Sequence, residues 1–280
     1  MSDFSSGAIV DDDLDFSAAQ SCAKTCDAAD AKEAAWGGRG LNIAIGVSAL
    51  VMVAGIALWA MQLAGGMVQT GMRNLDSWGL YITSFMFFVG LSAGGLIISS
   101  VPKAFGIAGF GGISKVAVMS SIACTVAAIG MVVVDLGQPA RLWELFAYSN
   151  LGSPLMWDLS LIHTYLILSC VYLWAQVQAE AGKVSHAALR VISVVALVCA
   201  VLVHSVTAWI FGLQQGREMW HTALLAPWFV SSALVCGTAL VMVVAMVLRR
   251  VGYLKLDQSY MVKLAKLLGA FAVSYTHLTL

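Results

Sequence analysis

Residues Ile43 to Leu63 read IAIGVSALVMVAGIALWAMQL and contain no charged side chain. About 20 apolar residues in a helix cross a hydrocarbon core of about 30 Å, so the run is long enough to span a membrane. Polar and apolar positions do not alternate along it, as they would in a strand of a membrane barrel. Because lipid offers the backbone no hydrogen bonds, the run predicts a transmembrane helix.

Five further runs of the same kind follow along the chain. We place the six spans at 41–63, 79–101, 113–134, 157–176, 188–212 and 224–248. A seventh apolar segment begins near Met261 and loses its apolar character after Val273, about 13 residues later, which is too short to cross. The sequence therefore predicts an all-α membrane protein, a polytopic helical bundle with six full spans and a truncated seventh.

The composition agrees with this class. The chain is 60% hydrophobic and 11% charged, whereas soluble domains carry about 25% charged residues. The formal net charge is zero, so the overall charge gives no indication of nucleic-acid binding. The lipid membrane is the partner that this composition predicts.

The two ends of the chain differ from the predicted bundle at 41–273. Residues 1–40 are polar, carry Asp11, Asp12 and Asp13 in a row, and lack the pattern of a secretory signal. They predict a disordered cytoplasmic tail. The last residues, 274–280, read SYTHLTL and fit no span. We interpret them as an artefactual or truncated end, and His277 is given no functional role.

Basic residues alternate from side to side along the chain, which predicts its orientation. The segments between spans that share a side with the N-terminus hold twelve basic residues: Lys24, Lys32, Arg39, Lys103, Lys115, Lys183, Arg190, Arg249, Arg250, Lys255, Lys263 and Lys266. The opposite side holds Arg73, Arg141 and Arg217. By the positive-inside rule, the N-terminus is cytoplasmic and these three residues lie outside.

Polar side chains gather near the predicted outer ends of spans two to five. They are Asp76, Tyr81, Asp135, Asp158, His163, Tyr165 and His204. Polar groups from adjacent helices at one depth predict a cavity, and an apolar cavity with a few polar groups suits a largely apolar ligand. A quinone fits this description, and a histidine can exchange protons with it near neutral pH. Each residue alone also suits a structural role, such as pairing of Asp135 with Arg141.

The cysteines and histidines predict no metal site, iron–sulfur cluster or pair of haems in this chain. Cys22 and Cys26 form an isolated pair in the tail, and each remaining cysteine lies alone in a different span. Iron–sulfur clusters need several cysteines at set spacings. A bundle that holds two haems would need four histidines within its spans, and this chain has fewer.

An ordered series of motifs covers residues 41–250. In chain order they are Trp78-Gly-Leu-Tyr81, Phe87-Phe-Val-Gly-Leu-Ser-Ala-Gly-Gly95, Asp135-Leu-Gly-Gln-Pro139, Ser153-Pro-Leu-Met-Trp157, His204-Ser-Val-Thr-Ala-Trp-Ile-Phe-Gly212, Ala226-Pro-Trp-Phe229 and Ser232-Ala-Leu-Val-Cys-Gly237. The series resembles the NrfD/PsrC family, the membrane subunits of polysulfide reductase and related molybdopterin oxidoreductases. Position 138 is Gln, where Arg is common in that family.

The resemblance implies a subunit of a bacterial cytoplasmic membrane that has no redox cofactor of its own. It implies electron exchange between membrane quinone, with menaquinone expected, and an outer ferredoxin-like iron–sulfur subunit attached to a molybdopterin catalytic subunit. Asp135 and His204 are the expected proton acceptors. The expected quinone-pocket residues are Asp76, Trp78, Tyr81, Asp158, His163 and Tyr165.

Two other functions remain open from the sequence. His163 and His204 lie in the outer halves of neighbouring spans and could ligate one haem iron, which would make the chain a b-type haem anchor. A transporter or a purely structural anchor is the other alternative. Transporters often contain internal repeats and broken helices near the midplane, and this sequence has no repeat.

Overall fold

The computed structural model describes residues 39–72, 78–106, 111–214, 216, 218, 220–252, 254 and 258–279. Within these residues the chain forms eight α-helices and two short 3-10 turns, Met67–Thr70 and Pro139–Arg141. The helices are α1 (Arg39–Gly65), α2 (Leu80–Phe105), α3 (Gly111–Asp135), α4 (Leu142–Ala147), α5 (Pro154–Glu180), α6 (His186–Gly212), α7 (Leu225–Arg250) and α8 (Gln258–Thr279). The predicted tail, apart from Arg39 and Gly40, lies outside the described residues, as does Asp76.

Six of these helices confirm the predicted membrane bundle. Helices α1, α2, α3, α5, α6 and α7 are long and apolar enough to cross a membrane. The spans extend a few residues beyond the predicted limits; the fourth begins at Pro154, where a proline fits because the first helical N–H has no partner within the helix. Helix α8 has 22 residues and is longer than the predicted apolar segment. Residues 274–279 continue this helix, and their predicted origin stays a prediction.

Successive spans run in opposite directions, which gives the bundle two ends. At one end α1, α3 and α6 finish, while α2, α5 and α7 begin; we call it the Asp135 end. The other, the Lys103 end, carries an ion pair between Lys115 Nζ and Glu180 Oε2 at 2.6 Å. There, Lys103 Nζ lies 5.5 Å from the centre of the Tyr172 ring.

Helix α2 is the central element of the bundle. It packs against α3, α6 and α7. In its most apolar stretch of 18 residues, 67% of the residues are buried. This close packing needs small residues. A Cβ on Gly94 would overlap the backbone oxygen of Ala233 and would lie 2.8 Å from Gly237 Cα. A Cβ on Gly95 would lie 3.1 Å from the backbone oxygen of Ala117, so glycines let α2 approach α7 and α3 together.

Two layers of hydroxyl groups join α2, α3 and α5. Each layer contains a serine of α2, a serine of α3 and a tyrosine of α5, and the second layer repeats the first seven residues along each helix. The sets are Ser92, Ser121 and Tyr165, and Ser99, Ser114 and Tyr172. Each tyrosine hydroxyl donates to the α2 carbonyl of its layer, at 2.9 Å for Tyr165 and 3.0 Å for Tyr172.

The repeat fixes how the three helices are aligned. Seven residues are about two helical turns, or about 10.5 Å, so the layers lie at different depths on the same helix faces. Hydrogen bonds between membrane helices are worth roughly 0.6 kcal/mol each on average. A shift of one helix along another would break both layers together, which favours a single alignment.

The contact of Gly94 with α7 predicts a strong effect of adding one methyl group. Gly94→Ala should lower the free energy of unfolding by roughly 1–3 kcal/mol, the usual cost of overpacking, because Ala233 and Gly237 must move apart from α2. The measurement is thermal unfolding in detergent. Gly130→Ala is the matched control, since a Cβ on Gly130 of α3 meets no atom within 4 Å. Equal unfolding temperatures for the two variants would contradict the packing described.

Candidate functional site

A cavity of about 240 Å³ lies inside the Asp135 end of the bundle, with walls from α2, α3, α4, α5 and α6. Its polar and ionisable lining consists of the side chains of Trp78, Asp135, Asp158 and His163. The other residues that line it are apolar: Ile82, Phe85, Ile129, Val132, Val133, Leu136, Leu142, Leu145, Leu155, Met156, Leu159, Ile162, Ile210 and Phe211. Apolar walls with a few polar groups are typical of small-molecule sites.

Helix geometry brings the ionisable groups to this cavity. Asp135 is the last residue of α3, and the turn that follows contains Gly137 with φ 65°, a left-handed conformation that favours glycine. Asp158 and Ile162 are four residues apart on α5, so they share a face of the helix. His163 follows on the adjoining part of that face and also lines the cavity.

Asp135 carries an acceptor atom that is unused within the protein. Its Oδ1 atom is buried and has no hydrogen-bond partner among the described residues. Arg141, the alternative partner considered from the sequence, instead donates from Nε to Glu144 Oε1 at 3.0 Å. A buried acceptor without a partner is costly, so Asp135 is suited to receive a hydrogen bond from a ligand in the cavity.

Asp158 is held by a residue of the neighbouring helix. It is 5% exposed, and the Thr207 hydroxyl of α6 donates to its Oδ1 atom. The Thr207 hydroxyl also lies 2.8 Å from the carbonyl oxygen of Val203. The pair joins α5 to α6 beside the cavity and fixes the orientation of the carboxyl group.

One ring nitrogen of His163 is held by the backbone, and the other can accept a proton. Its Nδ1 lies 2.7 Å from the carbonyl oxygen of Leu159, and because a carbonyl can only accept, Nδ1 carries the hydrogen. In the neutral ring this leaves Nε2 as the acceptor. The Phe146 ring of α4 meets the imidazole edge-to-face at 6.2 Å between centres. The ring can therefore take up a proton at Nε2 while its orientation stays fixed.

Aromatic rings cover the cavity on the side of Trp78. The Trp78 ring lies 5.0 Å from the Phe211 ring and is stacked on Trp220 at 6.2 Å between centres. Phe211 also lines the cavity. Trp78 is 40% exposed, which fits the predicted position of a tryptophan at the interface.

Three of the residues predicted from the sequence lie away from the cavity lining. His204 is buried where α2, α6 and α7 meet, with its ring 5.7 Å from that of Phe229, and a Cβ on Gly90 would lie 3.5 Å from its Cε1. Tyr165 belongs to the hydroxyl layer with Ser92, about two helical turns deeper than Asp158. Tyr81 donates to Gln62 Oε1 of α1 at 2.8 Å.

A second cavity, of about 630 Å³, adjoins the first at the Asp135 end. Both are lined by Leu136, Leu142, Leu145, Leu155 and Met156. The outer cavity adds polar side chains that include Gln138, Arg141 and Glu144. Helix α4 therefore separates a polar outer space from an apolar inner one.

Sequence reasoning missed Thr207, the leucines of α4 and Gln62 of α1. Thr207 lies 49 residues from Asp158, and no spacing rule links residues so far apart. Gln62 is a single polar residue near the end of an apolar run. That signal could have drawn attention to it, because a polar side chain in a membrane helix needs a partner.

Comparison with known proteins gives one family match. Residues 68–280 match the family model described as polysulphide reductase, NrfD. The match begins at the 3-10 turn after α1 and covers the whole of the cavity lining.

Three relatives of the chain are also named as subunits of reductases or oxidoreductases. A protein of Halobacterium salinarum that is provisionally named as a membrane subunit of dimethyl sulfoxide reductase is 39% identical over 244 residues, which cover 81% of this chain and 56% of that protein. A selenate reductase subunit of Mesobacillus selenatarsenatis is 25% identical, over 70% of this chain and 54% of its own. The Hdr-like menaquinol oxidoreductase integral membrane subunit of Archaeoglobus fulgidus is 31% identical, over 69% and 48%. The chain spans about half the length of these curated relatives.

The bond between Thr207 and Asp158 predicts a cost when the hydroxyl is removed. Thr207→Val keeps the shape of the side chain but leaves a buried carboxyl oxygen without its donor, so it should lower the free energy of unfolding by roughly 1–3 kcal/mol. Thermal unfolding in detergent measures this loss. Thr164→Val is the matched control, because Thr164 of α5 is exposed and its hydroxyl donates to Ser160 of the same helix. A loss of the same size at both positions would argue against the pair.

Proposed function

The chain belongs to the NrfD family of polysulphide reductase membrane proteins, and on that premise we propose that it binds membrane quinol or quinone in the cavity at the Asp135 end. In this proposal it passes electrons between the quinone and an iron–sulfur subunit attached to a molybdopterin catalytic subunit outside the membrane. The chain also anchors those partners. The N-terminus is cytoplasmic, in the cytoplasmic membrane of a bacterium, and the Asp135 end faces outward.

The residues that line the cavity are the main support for quinone binding. A quinone head group is a flat, apolar ring system with polar oxygens at opposite edges. The apolar walls from four spans suit the ring, while Asp135, Asp158 and His163 offer groups that bond to the oxygens. The distribution of basic residues, twelve against three, supports an outward-facing Asp135 end through the positive-inside rule.

Oxidation of a quinol releases two electrons and two protons, and the cavity has acceptors for the protons. We assign proton uptake to His163 Nε2 and to the Asp135 carboxyl group. The first is the ring nitrogen opposite the one that faces the Leu159 carbonyl, and the second has an oxygen without a partner among the described residues. The electrons pass to the iron–sulfur partner. Because Asp158 is held by Thr207, its role is to orient the head group.

The relatives support the assignment of the electron carrier and of the partners. One is named as a menaquinol oxidoreductase subunit, which favours menaquinone. The other two are named as subunits of a dimethyl sulfoxide reductase and of a selenate reductase. A type of subunit that is shared among reductases of different substrates fits a common quinone site joined to different catalytic partners.

The proposal predicts that quinol oxidation depends on His163. In the full-length protein with its partner subunits, His163→Gln should lower turnover by about 10²-fold, the typical contribution of general acid–base catalysis. Steady-state oxidation of a soluble menaquinol analogue measures the rate. His221→Gln is the matched control, because the Nδ1 atom of the exposed His221 also faces a backbone carbonyl, that of Gly212 at 2.9 Å, yet His221 does not line the cavity.

The same assay decides between His163 and His204. Loss of turnover in His204→Gln, with His163→Gln still active, would assign the proton to His204 and contradict the site proposed here. Failure of a quinone-site inhibitor to bind the purified complex would contradict the function as a whole.

A further inference from the structure

Helix α1 lies beside the bundle and touches it through few side chains. No residue in the most apolar stretch of α1 is buried against the bundle. Between Asn42 and Gly65, every residue is exposed except Trp59 and Gln62. Gln62 is 6% exposed. Since Trp59 and Gln62 are three residues apart, they lie on the same face of the helix. The contact of α1 with the bundle is therefore concentrated at the Asp135 end and includes a buried polar group.

The Gln62 amide uses both of its polar atoms. Its Nε2 atom donates to the carbonyl oxygen of Val134 at 3.2 Å and to Met67 Sδ at 3.1 Å. Its Oε1 atom accepts from the Tyr81 hydroxyl at 2.8 Å. The carbonyl of Val134 can only accept, so the amide nitrogen must face it. The side chain thereby joins three elements: α1, the first turn of α2 and the last turn of α3.

The bond to Val134 supplies a partner that the end of α3 lacks. The last carbonyls of a helix have no partner within the helix. In a continued helix the N–H of Gln138 would donate to Val134, but here it donates to Leu136 at 2.7 Å. The Gln62 amide donates to the Val134 carbonyl in place of the Gln138 N–H. The carbonyl it holds belongs to the peptide bond between Val134 and Asp135, so Gln62 fixes the backbone on which the Asp135 side chain stands.

The segment after α1 supports the other side of Asp135. Met67 packs against Gly137, where a Cβ would lie 2.8 Å from Met67 Cγ. Gly137 also has a left-handed φ of 65°, so a larger residue is disfavoured there on both grounds. Gln62 and Met67 thus hold the chain immediately before and two residues after Asp135.

We propose that Gln62 is a positioning residue for Asp135, the group to which the proposed function assigns proton uptake. Because Asp135 Oδ1 has no partner among the described residues, its direction depends on the backbone that carries it. Gln62 lies in α1, outside the segment that matches the family model. Helix α1 thereby contributes to the quinone site without lining it. The effect on turnover rests on the proposed function, whereas the effect on Asp135 itself does not.

The first test measures whether Gln62 acts through Asp135. Quinol oxidation is compared for Gln62→Leu in the native and in the Asp135→Asn background of the full-length complex. We expect about a 10-fold loss of turnover in the native background, since small displacements of a reacting group have large effects. In the Asp135→Asn background we expect less than about a twofold further loss, since residues that act together are not additive. Equal fold-losses in both backgrounds would overturn the proposal.

The matched control is Gln214→Leu. Gln214 follows α6 at the same end of the bundle, is exposed, and donates to the Ile210 carbonyl of its own helix at 3.4 Å. Turnover within about twofold of the native enzyme is expected for this variant, as for most surface substitutions. Gln62→Glu separates the two bonds, because it keeps an acceptor for Tyr81 and loses the donor to Val134. A loss as large as that in Gln62→Leu is expected, and native turnover in Gln62→Glu beside a loss in Gln62→Leu would overturn the proposal.

The second test measures the infrared absorption of the Asp135 carboxyl group and requires no quinol. The infrared band of its carboxyl group is identified as the band lost in Asp135→Asn. In Gln62→Leu we expect this band to shift to lower frequency, because a displaced carboxyl group finds new hydrogen-bond donors, and in Gln214→Leu we expect no shift. A shift with native turnover would support the positioning of Asp135 and contradict the proposed function. An unshifted band would overturn the positioning role.

Discussion

The close approach of α2 to its neighbours is the contact on which the rest of the structure depends. Gly94 lies so near Ala233 and Gly237 of α7 that no side chain fits between the two backbones. The same helix approaches α3 through Gly95. Lipid supplies no hydrophobic force between helices, so close packing of this kind holds membrane bundles together. With α2 at the centre, its apolar first turns become one wall of the cavity.

Polar groups then divide the bundle by depth. Toward the Lys103 end, serine and tyrosine hydroxyls meet one another and the carbonyls of α2, so they lock α2, α3 and α5 together. At the Asp135 end, one oxygen of Asp135 is left without a partner among the described residues, and His163 keeps one ring nitrogen free of the backbone contact that orients it. The hydroxyl layers therefore build the scaffold, whereas the Asp135 oxygen without a partner among the described residues belongs to a residue that lines the cavity. This difference is the physical basis for placing the reaction there.

The sequence predicted the architecture well because membrane spans leave a strong one-dimensional signal. The span predicted at 188–212 is the helix His186–Gly212, and the one at 41–63 is Arg39–Gly65. Length and apolarity determine these limits, and both can be counted along the chain.

The direction of each side chain around its helix was harder to predict. His163 and His204 have similar depth in the sequence, yet His163 lines the cavity and His204 packs against Phe229. Depth follows from position along a span, but direction depends on which helices become neighbours. Gln62 gives the clearest case, because its partners Tyr81 and Val134 lie 19 and 72 residues away. No local pattern encodes such contacts.

An experimental structure of the full-length complex with a quinone-site inhibitor bound would show whether quinone binds in the cavity at the Asp135 end. We expect the inhibitor head group to lie among α2, α3, α5 and α6, with one polar atom at Asp135 and another near His163. An inhibitor seated between α6 and α7 beside His204, with the cavity at Asp135 empty, would contradict this expectation.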